Sequence, residues 1–100
     1  MLEVPVVVVA ETREREQVQE EAHTVAVNAH GGLLKLRMEV LMGQPMVLIN
    51  AKTNTEEGCK VVRVEDLPSG EFAVAFEFDR PAPQFWPIVF PPDDWHVVRS

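Results

Sequence analysis

A corner of five residues, Asn28-Ala29-His30-Gly31-Gly32, carries the residue types in this chain best suited to holding a ligand. Asn28 and His30 supply polar side chains, and the two glycines can adopt positive φ without the steric penalty of a Cβ. Backbone at such a corner lies bare and could sit close against a flat ligand. We therefore predict four ligand-binding residues: Asn28, His30, Gly31 and Gly32. Asn28 has an alternative role, a hydrogen bond to the backbone that shapes the turn, and we favour that structural role over ligand contact.

Catalytic and metal-binding chemistry finds little support elsewhere in the chain. The single cysteine, Cys59, opens a predicted strand with no histidine beside it in sequence, so we expect a packed and inert thiol. Asp93-Asp94 near His96 is typical of a turn after the prolines that precede it. None of the three histidines shares a metal-ligand spacing such as His-x-x-x-His: His23, His30 and His96. We predict no enzyme activity, no metal site and no cofactor.

Length and charge narrow the class of protein. One hundred residues make one domain, and a net charge of −7 argues against binding nucleic acid or an anionic membrane through bulk charge. A single cysteine excludes an intrachain disulfide and fits a reducing compartment. The longest apolar run, Val4 to Ala10, contains Pro5 and is too short to span a bilayer. An export signal has positive charge before its apolar segment, whereas this chain has Glu3 there, so we expect no export signal. We expect a cytoplasmic protein with no DNA, RNA or membrane partner.

Alternating apolar residues predict the elements that position this corner. The two runs that meet there have the period of two expected of half-buried strands. Short runs with turn residues between them predict six strands, at about 2–10, 20–28, 32–37, 46–50, 59–66 and 71–78. The charged segment 11–21 lacks an apolar stripe and is predicted as an exposed connection that becomes strand near Glu20. The expected fold is an all-β, six-stranded antiparallel barrel with at most one short helix.

The sixth predicted strand has the clearest pattern. Four large apolar residues on it are in phase and should face one side together: Phe72, Val74, Phe76 and Phe78. Val62 and Val64, from the fifth strand, are predicted among their neighbours.

The C-terminal tail, residues 80–100, is rich in proline and aromatic residues. Its aromatic side chains carry more apolar area than a solvated linker can expose: Phe85, Trp86, Phe90 and Trp95. We expect the tail to fold over one barrel opening with Trp86 and Trp95 buried, and a motif that docks another protein is the alternative. The chain is then one domain, residues 1–100, with a barrel at 2–79 and a capping tail at 80–100.

The order of these features resembles a PilZ domain over most of the chain, from Val4 to about Phe78. The resemblance is carried by the strand–corner–strand, then by Gly43-Gln44, a Val61-Val62-Arg63-Val64 strand and a Phe72…Phe76…Phe78 strand. It implies a PilZ-like barrel and a non-enzymatic role in bacterial second-messenger signalling. The ligand in such domains is cyclic di-GMP, whose phosphates and guanines are bound by arginine side chains.

The family's corner motif, Asp/Asn-x-Ser-x-x-Gly, is present here only in part. Aligned on Asn28, it has His30 in place of the serine and Leu33 in place of the glycine. Aligned on Gly32, it keeps the glycine but has Val27 in place of the aspartate or asparagine and Ala29 in place of the serine. We prefer the second register because its glycine directly precedes an apolar strand.

The family's second motif, Arg-x-x-x-Arg just before the first strand, is not found in this sequence. Residues 2–5 include no basic side chain, and Arg13 and Arg15 follow the first strand. Four basic residues on predicted strands should be solvated rather than functional: Lys35, Arg37, Lys60 and Arg63. Two phosphates without cationic partners are costly to desolvate, so we expect an eroded nucleotide site.

Two functions remain open. The first is a non-enzymatic PilZ-like regulatory module of bacterial cyclic di-GMP signalling whose nucleotide site is eroded. The alternative is a protein–protein interaction module that keeps the barrel and has no nucleotide ligand. Either would work with a protein partner or a neighbouring domain. An Arg-x-x-x-Arg upstream of Leu2 in a longer product would favour nucleotide binding.

Overall fold

Six antiparallel strands close into a barrel in the part of the chain that the structure describes. The structure is a computed structural model and describes residues 4–11 and 14–86. Its strands are β1 (Pro5–Glu11), β2 (Gln17–Asn28), β3 (Gly31–Leu36), β4 (Pro45–Asn50), β5 (Glu56–Asp66) and β6 (Phe72–Phe78), followed by a 3-10 turn at Pro83–Phe85. The strand order is β1-β2-β3-β6-β5-β4, and β4 pairs with β1 to close the barrel. The predicted all-β, six-stranded antiparallel barrel is confirmed.

Alternation along the strands fills the barrel interior. In β1, Val6 and Val8 point inward and are at most 1% exposed, whereas Val7 and Val9 lie on the outer face. The other strands add further buried side chains, including Leu34, Leu36, Met46, Leu48, Val61, Val74, Phe76 and Phe78. Burial of each large apolar side chain contributes about 1.5–3 kcal/mol, so this core stabilises the whole barrel. Across residues 4–11 and 14–86, no helix is long and apolar enough to cross a membrane.

β2 begins earlier than the sequence pattern predicts. Its residues 17–19 pair with residues 9–11 of β1, so the strand starts at Gln17 rather than near Glu20. Ladder hydrogen bonds use backbone groups that nearly every residue type carries, so pairing extends β2 through a segment without an apolar stripe. β5 likewise starts at Glu56 rather than Cys59, because its first residues pair with β4.

A bulge in β5 contradicts the predicted position of Val62. Val61 lies opposite Phe76 and is 1% exposed, whereas Val62 falls in the register shift and is 47% exposed. The extra residue shifts the alternation by one position, so the side chain of Val62 faces away from the core. Val64 lies beyond the bulge and packs against the core as predicted.

The aromatic face of β6 and the first part of the tail close one end of the barrel. Val74, Phe76 and Phe78 are buried and Phe72 packs against the core, which confirms their shared face. Phe85 and Trp86 are 2% and 3% exposed, and their rings meet edge to face at 4.8 Å. The predicted aromatic cap is therefore confirmed for residues 80–86, whereas the predicted burial of Trp95 lies outside the described residues.

Candidate ligand-binding corner

The side chain of Asn28 closes the corner between β2 and β3. Its Oδ1 accepts the backbone N–H of His30 at 2.7 Å and that of Gly31 at 3.0 Å. This arrangement is an Asx-type turn, in which the side chain satisfies the two backbone donors that the turn leaves unpaired. The expected structural role of Asn28 is confirmed.

The two corner glycines are needed for close packing rather than for a left-handed turn. Neither Gly31 nor Gly32 has positive φ, which is found at Gly43 and Gly70 among the described glycines. A Cβ at Gly31 would lie 2.1 Å from the carbonyl oxygen of Phe76, and one at Gly32 would lie 2.5 Å from a β2 carbonyl. The expectation of positive φ was wrong here, because neighbouring strands approach too closely for any side chain.

The backbone of the corner is hydrogen-bonded to the C-terminal part of the domain. The carbonyl of Asn28 accepts the indole N–H of Trp86 at 2.8 Å. The next two carbonyls, of Ala29 and His30, accept the backbone N–H groups of Ala82 at 2.9 Å and Phe78 at 2.7 Å. Backbone expected to lie bare is therefore occupied, and the corner is a joint that fastens the aromatic cap to the barrel.

A shallow pocket of about 330 Å³ lies outside the joint and brings the four predicted residues together. Its walls are formed by Ala26, Val27, Asn28, His30, Gly31, Gly32, Leu33, Val62, Phe76 and Glu77. His30 and Glu77 are the titratable side chains among these residues, and neither lysine nor arginine lines the pocket. The Nε2 of His30 is buried without a hydrogen-bond partner among the described residues. The pocket therefore presents carboxylate and imidazole rather than fixed positive charge.

Sequence reasoning missed the part of this pocket that comes from β5 and β6. Glu77 reaches the corner because it pairs with Gly31 in the β3–β6 ladder. Val62 reaches it because of the bulge in β5. Alternation places Glu77 on the outer face, but no signal in the sequence specifies which strand lies beside β3.

None of the four basic residues on the strands lines this pocket. Lys35 and Arg37 line a separate polar depression of about 350 Å³, together with Glu20, Glu21, His23 and Glu71. Glu20 accepts the backbone N–H of Arg37 at 2.6 Å. Lys60 lies opposite Glu77 in the β5–β6 ladder. Cations and carboxylates alternate on these exposed faces, as on a solvated surface.

Cys59 is a free thiol in the core, 1% exposed. Burial, and to a smaller extent the charge of Asp79, raises the pKa of this thiol from 9.0 to about 12. A thiol with so high a pKa stays protonated at neutral pH and is a poor nucleophile or metal ligand. Among residues 4–11 and 14–86, no group of three histidine, cysteine, aspartate or glutamate residues could hold a metal ion.

The raised pKa of Cys59 predicts a loss of stability in alkali. Between pH 9 and 12 the thiol ionises in the unfolded chain and stays protonated in the folded one, so the free energy of unfolding falls as pH rises. At pH 10 the expected loss is about 1.4 kcal/mol relative to pH 8. Urea unfolding of the wild type and of Cys59→Ala isolates this effect, since the variant should lack it. Equal pH dependence in both proteins would contradict it.

Comparison with known proteins adds no family assignment. No protein-family model matches the chain, and neither a curated protein nor a solved structure shows significant similarity to it. The candidate site is therefore described by its geometry: an Asx-type turn, close-packed glycines and a pocket without lysine or arginine.

Proposed function

We propose that this chain is a non-enzymatic, PilZ-like regulatory module of bacterial cytoplasmic signalling in which the nucleotide site has been converted into a structural joint. The hydrogen bonds of the corner support the proposal most strongly. Asn28 Oδ1 is bound to two backbone amides, and the carbonyls of residues 28–30 are bound to Trp86, Ala82 and Phe78. A ligand that used these groups would have to break bonds worth about 1 kcal/mol each.

Electrostatics around the corner also disfavour a dinucleotide with two phosphates. Binding such a ligand removes its phosphates from water, which requires arginine or lysine partners in good geometry. The corner pocket has no such partner and includes Glu77, and the whole chain carries a net charge of −7. Cyclic di-GMP would therefore lose hydration without gaining compensating charge pairs.

Calorimetric titration with cyclic di-GMP tests the eroded site. We expect no binding tighter than about 10 μM, which corresponds to about −7 kcal/mol. A submicromolar isotherm would contradict the proposal if His30→Ala weakened it and Lys52→Ala did not. Lys52 is a suitable control because it is exposed and does not line the corner pocket.

Exposed apolar side chains support a second candidate, an interaction module without any nucleotide ligand. Leu41, Met42 and Val62 are 55%, 70% and 47% exposed. A regulatory module without its own chemistry acts through a protein partner or a neighbouring domain, and apolar surface is where such partners bind. In the first candidate the barrel derives from a nucleotide-binding domain, whereas in the second it never bound a nucleotide. In both, the protein acts through a partner that binds its surface.

A further inference from the structure

The outer faces of β1 and β4 form an apolar patch separate from the corner. Val7 lies opposite Ile49 and Val9 lies opposite Val47 in the β1–β4 ladder. Alternation with the buried residues of the same strands places all four side chains on the outside, where they are partly exposed. We call these four residues, Val7, Val9, Val47 and Ile49, the β1–β4 patch.

The patch continues into a groove at its Val9–Val47 end. The groove has a volume of about 520 Å³, and its apolar walls come from Val9, Ala10, Leu41, Pro45, Met46 and Val47. Gln44 holds the loop that carries Leu41: its amide nitrogen donates to the carbonyl of Glu11, and its Oε1 accepts the N–H of Leu41 at 2.9 Å. The exposed side chain of Leu41 thus belongs to a preformed wall.

The closed sheet determines how a partner could bind here. β1 pairs with β2 and β4, and β4 pairs with β1 and β5, so a peptide cannot add itself as a further strand at the patch. Contact must come from side chains. Successive outward residues on one strand are about 7 Å apart, which is close to the rise of about 6 Å between residues i and i+4 of a helix. The apolar stripe of a helix therefore matches the spacing of the patch.

Carboxylates border the patch on both sides. Glu21 of β2 lies opposite Val7, and Glu56 of β5 lies opposite Ile49, so one row across the sheet has an acid at each end. In the next row Val47 lies opposite Gly58, and the Asp79 carboxylate lies 2.7 Å from where a Gly58 Cβ would be. The acidic border favours a partner with basic residues on both sides of its apolar stripe. Arg15 lines the groove and Lys60 lies opposite Pro45 in the β4–β5 ladder, so the groove end also carries positive charge.

We propose that the β1–β4 patch and its groove bind an amphipathic helix of a protein partner, with lysine or arginine flanking the helix's apolar face. The apolar area supplies affinity, and the carboxylates of Glu21, Glu56 and Asp79 select the charge of the partner. This surface shares no residue with the walls of the corner pocket. Its function is therefore independent of whether the corner binds a nucleotide.

Fluorescence anisotropy with a synthetic helix tests the proposal. The probe is a labelled peptide of about 18 residues, with leucines spaced three and four apart and lysines on both flanks. We expect the full chain to bind the peptide and Val47→Thr to weaken binding about tenfold. The substitution should leave the barrel folded, because threonine suits an outward-facing strand position. The double variant Glu21→Lys with Glu56→Lys should weaken binding as strongly. Val25→Thr, at a partly exposed valine outside the patch, the groove and the corner pocket, is the matched control and should bind normally.

Several outcomes would overturn the proposal. These are failure of the peptide to bind, equal binding by Val47→Thr, and equal binding of a probe with glutamates in place of its lysines. Sedimentation equilibrium that showed a dimer dissociated by Val47→Thr would assign the patch to a second copy of the chain. Adsorption to phosphatidylcholine vesicles that Val47→Thr abolished would assign it to a lipid surface. Val47 lies outside the corner pocket, so titration of Val47→Thr with cyclic di-GMP tests the corner alone. Failure of the helix-binding proposal can therefore be distinguished from failure of the proposed function.

Discussion

Trp86→Ala is expected to lower the free energy of unfolding by about 3–5 kcal/mol, a large part of the 5–15 kcal/mol typical of such a domain. The substitution removes a side chain that is 3% exposed and packs against three aromatic rings, those of Phe76, Phe78 and Phe85. It also leaves the carbonyl of Asn28 without its indole donor. Chemical denaturation followed by circular dichroism measures the loss.

Trp86→Phe separates the two contributions. Phenylalanine keeps most of the ring packing and loses the hydrogen bond to Asn28, so its expected cost is about 1–2 kcal/mol. Val62→Ala, at a 47% exposed position, should change stability by about 0.5 kcal/mol or less. A cost below about 1 kcal/mol for Trp86→Ala would show that the cap does not stabilise the barrel.

Gly31→Ala is expected to cost about 3 kcal/mol or more, or to prevent folding. The new Cβ would lie 2.1 Å from the Phe76 carbonyl oxygen and 2.9 Å from the Glu77 Cα. Both are backbone atoms, so β6 would have to move away from β3 and break the ladder hydrogen bonds between these two strands. Thermal and urea unfolding of the variant measure the cost.

Gly58→Ala is the matched control for this prediction. A Cβ there would meet only the carboxylate of Asp79, which is exposed and can rotate away. We expect the control to cost about 1 kcal/mol or less. Similar losses for the two alanine variants would contradict the conclusion that backbone contact, rather than glycine entropy, requires Gly31.

The sequence correctly predicted those features of the fold that depend on a single strand or segment. Alternation in β1, β4 and β6 follows from a period of two along one strand, and Phe76 and Phe78 are buried as that period requires. The burial of Trp86 followed from its apolar area, which no short solvated linker could expose. Such features need no knowledge of which strands are neighbours.

Features that depend on strand neighbours could not be read from the sequence. Gln17 is in β2 because it pairs with Glu11, and Val62 is exposed because of a register shift against β6. Gly31 is required by the Phe76 carbonyl, 45 positions later in the chain. The four predicted corner residues lie together because they fall within five consecutive positions, but the contacts that occupy the corner backbone come from Phe78, Ala82 and Trp86.

The central proposal is that the corner serves as a structural joint and does not bind cyclic di-GMP. Thermal unfolding with and without about 10 μM cyclic di-GMP tests it most directly, because a ligand that binds only the folded state must raise its stability. A dissociation constant weaker than 10 μM limits the gain to about 0.4 kcal/mol, so we expect the melting temperature to rise by less than about 3 °C. A rise of about 10 °C or more would correspond to a constant near 0.1 μM and would contradict the claim.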